Sequence, residues 1–78
     1  MREKDIVMKL PYKDIFIGEA SEYITNPFSG EGIMLSPEEV AVLDTLRGCE
    51  IFGDYDGVRK GINWFINNNA EAYMVLLD

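Results

Sequence analysis

In SPEEVAVLDTLRGCEIFG, residues 36–53, the apolar positions recur at helical spacing. Val42, Leu46 and Cys49 follow i, i+4, i+7, with Phe52 beside them. The ends carry their own signals. Ser36 suits an N-cap, where its oxygen accepts a free backbone N–H, and Pro37 suits the first helical position, where no N–H is needed. Glu39, three residues after the cap, completes a capping box, and Glu38 adds a second carboxylate near the positive end of the helix dipole. Gly53 is a natural stop. The pattern predicts a first helix over about 37–51.

A second periodic stretch starts at Asp54 and runs to about Asn67. Phe65, Val58, Ile62, Tyr55 and Ile66 fall within one arc of roughly 100°, while Asp56, Arg59, Lys60, Asn63 and Asn67 take the far side. The run NNN, 67–69, interrupts this pattern, and Asn69 suits the N-cap of a short third helix over about 70–77. That helix, AEAYMVLL, is apolar on nearly all sides, so its last turn needs cover from this chain or from a second copy. The first 35 residues are less regular. Phe16, Ala20, Tyr23 and Ile24 have helical spacing, but Gly18 and the β-favouring IFI oppose a helix. TNPFSGEGIMLS, 25–36, reads as a loop because Asn-Pro and Ser-Gly are turn dipeptides. The expected fold is mainly α: a helix hairpin, a short C-terminal helix and an irregular N-terminal arm. The alternative is α+β, with a strand pair within residues 5–35.

With 78 residues the chain makes one domain, 1–78, comprising an arm and loop region, 1–35, and a helical core, 36–78. A core this small gains from a partner or from self-association. No apolar run approaches the roughly 20 residues of a membrane helix. MREKDIVMKL has no apolar signal segment, and Glu3 and Asp5 oppose a transit peptide despite the basic start. Cys49 is the single cysteine, which excludes an internal disulfide and a Cys-rich zinc site. These features make the cytoplasm the expected compartment.

The net charge of −7 is unevenly spread. Residues 1–13 carry +2, residues 57–78 balance, and residues 14–56 hold ten acids against Arg47 alone. Such a surface repels nucleic-acid phosphates and favours a basic protein partner.

GDYDG, 53–57, offers two carboxylates between glycines. An EF-hand loop counted from Asp54 fails, since Val58 takes the fifth position and Arg59 the sixth. A helix corner accounts for all five residues: Gly53 turns the chain, and Asp54 and Asp56 suit a helix start. SGEG, 29–32, lacks the Gly-Lys-Ser/Thr of a phosphate loop and places Glu31 where a phosphate would sit, so it reads as a turn. No histidine is present, so Ser-His-Asp and Cys-His chemistry is impossible. Cys49 lies on the apolar stripe and reads as a small core residue. A hydrolase using carboxylates alone is the remaining enzymatic option. No catalytic residue, metal site or cofactor is expected.

Two features can mark a partner-binding surface. Gly57, Gly61 and Trp64 lie together beside the apolar stripe of the second helix, where small residues permit close backbone approach and Trp is a frequent interface anchor. Packing within the monomer is the competing explanation. Val40 and Leu43 lie off the main stripe of the first helix, near Glu39, Arg47 and Glu50.

Residues 53–73 resemble the second half of a tetratricopeptide repeat, through Gly53, Tyr55, Val58, Ile62 and the trailing NNAEAY. The resemblance implies a helical hairpin of a kind that binds peptides and proteins. The departures are a shift of one position on the first helix, Phe65 where a small residue is usual, and no interhelical proline. The stretch 23–78 also resembles small phage-encoded proteins of unassigned function, which implies the cytoplasm of an infected bacterium and a host-directed role. The resulting expectation is a small acidic, non-catalytic protein-binding module. A sharper version has it mimic DNA on the basic groove of a host nucleic-acid enzyme. A self-associating structural subunit is the alternative.

Overall fold

The computed structural model describes residues 10–78; the part of the expected arm formed by residues 1–9 lies outside them. The order of elements is β1 (Glu22–Thr25), β2 (Gly32–Leu35), α1 (Pro37–Phe52), α2 (Tyr55–Asn68) and α3 (Ala70–Ala72), the last running on into a π-helical turn, Tyr73–Leu77. The chain is therefore mainly helical, with an added antiparallel hairpin of two strands.

The strand pair lies within residues 5–35, where the α+β alternative placed it, and it settles two local readings. Tyr23 and Ile24 belong to β1 and not to a helix, and the span expected to be a loop ends in β2. The register pairs Glu22 with Leu35, Tyr23 with Met34, Ile24 with Ile33 and Thr25 with Gly32. Opposed residues share a face, so Ile24, Ile33 and Leu35 point inward while Tyr23 and Met34 point out. The turn dipeptides do shape the connection. The Asn26 Oδ1 accepts from the Phe28 N–H at 2.8 Å, and Gly30 takes a positive φ of 79°. Asn26 Nδ2 also donates to the Val75 carbonyl at 3.0 Å, tying the β-hairpin to the C-terminal turn.

Both helix starts follow from local chemistry. Ser36 Oγ accepts from the Glu39 N–H at 3.2 Å, and Glu39 Oε1 accepts from the Ser36 N–H at 2.9 Å, closing the capping box. Gly53, at φ 77°, ends α1, and Asp54 caps α2 by accepting from the Gly57 N–H at 3.1 Å. Asn69 caps α3 through the Ala72 N–H, and its Nδ2 donates to Glu39 Oε2 at 2.9 Å. Glu39 thus spends one oxygen on its own cap and the other on the cap of α3.

Leu35, Val42, Leu46 and Phe65 form the fully enclosed centre, with Leu43, Trp64, Ala72 and Leu76 also buried. Trp64 meets Phe65 edge to face, at a centroid distance of 5.1 Å. The inward face of α2 differs from the expected stripe. Phe65 is buried, but Tyr55 is 72% exposed, and the seam runs through Gly57, Gly61 and Trp64. The glycines explain the rotation. A Cβ at Gly57 would collide with Cys49 Sγ, and one at Gly61 would lie 2.6 Å from Leu46 Cδ1. Helix α1 packs where α2 has least bulk, because backbones can approach more closely there. Phe52, expected on the apolar stripe of α1, is 87% exposed, since it ends the helix at the hairpin corner.

Candidate binding groove

The corner made by GDYDG is fully accounted for by helix ends. Gly53 turns, Asp54 caps and Asp56 pairs with Arg59 at 3.2 Å on an exposed face. Tyr12 reaches this corner from the N-terminal segment, and its hydroxyl donates to the Gly57 carbonyl at 2.6 Å. Burial, with Cys49 and Asp54 nearby, pushes the Tyr12 phenol up to about 12. Burial and the neighbouring Asp54 carboxylate likewise raise the Cys49 thiol. Among the described residues no three acidic, Cys or His groups are placed to share a metal ion. SGEG runs from the β-hairpin loop into β2 at Gly32, and Ser29 Oγ accepts from the Glu31 N–H at 3.2 Å.

A groove of about 290 Å³ opens elsewhere, between the segment 16–22 and the first two turns of α1. Pro37, Val40 and Ala41 form its floor on the helix side, and Phe16 and Ala20 face them from the other wall. Glu19, Glu22 and Asp44 line it as well. Local rules set the helix side: Val40, Ala41 and Asp44 fall on one face at i, i+1, i+4, just after the Ser36 cap. The opposite wall is irregular. Among the described residues, the main chain of 16–21 makes no hydrogen bond. Glu19, Glu22 and Asp44 form no ion pair there either. The result is an apolar trough lined by uncompensated carboxylates.

The residues expected to bind a partner are dispersed. Trp64, Gly57, Gly61 and Leu43 are enclosed by the chain itself, with Trp64 only 6% and Leu43 3% exposed, so they are core positions and not a presented surface. Their burial follows from the close seam between α1 and α2. Glu39 is half-buried and committed to two caps. Glu50 is exposed near the far end of α1. Val40 alone of the set lines the groove. Phe16, Glu19, Ala20, Glu22 and Asp44 were not among the residues expected to bind a partner. Asp44 was within reach of the i+4 rule from Val40, whereas the helical spacing of Phe16 and Ala20 is not realised in an irregular segment, and Glu19 and Glu22 carry no periodic signal.

Comparison of the chain with protein-family models, with curated proteins and with solved structures gave no match. No helix among the described residues is long and apolar enough to cross a membrane.

Proposed function

We propose that this chain is a small acidic, non-catalytic module that binds a basic surface on another protein. The observation that carries this reading is the groove beside α1, where exposed carboxylates border apolar side chains without cationic partners. An apolar floor supplies contact area, and the carboxylates supply attraction and orientation. The uneven charge supports it: residues 14–56 carry ten acids and one base. In a phage setting the partner would be a host protein, and the DNA-mimic version places the acidic face in that protein's nucleic-acid groove.

Affinity capture from bacterial lysate at low and high salt tests the reading. The expected result is a stoichiometric basic protein held at low salt and released at high salt, because exposed charges are screened within about 10 Å at 0.1 M. A partner held equally at both, or no partner at low salt, overturns it. Displacement of DNA from the captured protein separates the mimic version from a simpler contact.

A self-associating subunit is the second reading, favoured by a different observation. Ile51, Phe52 and Tyr55 are all exposed at the corner of the α1–α2 hairpin. Light scattering that reports a monomer at high concentration would remove it.

A further inference from the structure

We propose that the groove between residues 16–22 and α1 receives one Lys or Arg side chain of an extended basic peptide. The inference rests on the binding-module reading and assigns its site and ligand class. Three features of the groove select this occupant. First, Pro37, Val40, Ala41, Phe16 and Ala20 make a surface suited to the methylene stem of a long cationic side chain. A small inorganic cation would gain nothing from these walls. Second, Glu19, Glu22 and Asp44 line the groove and are exposed, so the cationic head can meet carboxylates without leaving water. The three carboxylates come from both walls, so a cationic head in the groove has acidic neighbours on either side.

Third, one wall is built to accept a peptide main chain. The backbone of 16–21 makes no hydrogen bond among the described residues, so its N–H and C=O groups remain available. Continuing into β1, this segment can align with an extended ligand as an added strand does. An irregular wall without a hydrogen-bond ladder also adjusts its width at low cost, while α1 stays fixed by its capping box.

The test is titration of the ¹⁵N-labelled full chain with an acetylated, amidated Gly-Arg-Gly-Lys-Arg-Gly peptide at low salt. Expected are amide shifts concentrated in residues 16–22 and 38–44. Affinity should fall about tenfold in the triple variant Glu19→Gln, Glu22→Gln, Asp44→Asn, in line with the upper range of exposed ion pairing. A second variant, Ala20→Phe, fills the groove without changing charge at an exposed position, and it should weaken the peptide by a similar factor. Far-UV circular dichroism checks that both variants stay folded. Binding spread over the acidic surface and unchanged by Ala20→Phe overturns the groove while leaving the acidic module standing. Hexaamminecobalt(III), a cation without a methylene stem, binding as tightly as the peptide overturns the groove in the same way, because it shows that charge alone is sensed. No binding of any cationic probe at low salt overturns both readings.

Discussion

At Gly61 one added methyl group would meet two neighbours, the Tyr12 hydroxyl and the Leu46 side chain. At Gly48, also helical, it would meet nothing within 4 Å. Alanine should therefore act oppositely at the two sites. Gly61→Ala should destabilise by about 1–3 kcal/mol through overpacking, whereas Gly48→Ala should stabilise by about 0.5–1 kcal/mol through helix propensity. Urea denaturation of both variants measures this, and equal effects would contradict the close seam. Tyr12 gives a prediction in pH. Its folded pKa of about 12 exceeds the ordinary 10.0, so the folded state holds the phenolic proton more tightly than the unfolded state. That contribution is fully present below pH 10 and is lost as pH rises from 10 through 12. Tyr12→Phe should flatten the alkaline slope in this window, and a slope unchanged by the substitution would show that Tyr12 does not carry it.

Among the elements, the helix ends were legible in the sequence because capping is local chemistry. Ser36, Glu39, Gly53, Asp54 and Asn69 each act on backbone groups within four residues of themselves. What local pattern could not contain is the second task of Glu39, its bond to Asn69 across 30 residues of chain. A double-mutant cycle measures that bond. Asn69→Ala should cost about 1–2 kcal/mol by loss of the cap. Glu39 and Asn69 should couple by at least about 0.5 kcal/mol, and strict additivity would mean the bond contributes nothing. The strands were less legible. EYIT and GIML alternate over four residues only, and a helical spacing from Phe16 to Ile24 competes with that signal.

Over the whole molecule, burial decides which large apolar residues matter for stability. Trp64→Ala should cost about 3–5 kcal/mol, whereas Phe52→Ser, at a position 87% exposed, should stay within about 0.5 kcal/mol. Thermal unfolding distinguishes them, since about 1 kcal/mol moves Tm by about 4–8 °C in a domain this size. If Trp64→Ala leaves Tm unmoved, Trp64 is not a core residue. The net charge of −7 adds a property of the whole surface. Carboxylates repel one another at low ionic strength, so added salt should raise Tm by a few degrees through screening. A falling Tm would mean that attractive pairs dominate instead.

Helix positions, their caps, the corner at Gly53 and the acidic balance could all be read from the chain alone, because each depends on neighbours in sequence or on composition. The face that α2 turns inward could not. Hydrophobic spacing pointed to Tyr55 and Ile66, but close packing favoured the glycine side, and that choice exists only once α1 lies against it. The groove is of the same kind. Its carboxylates and apolar walls are separated by as many as 28 residues, and they become a site only when residues 16–22 fold back along α1.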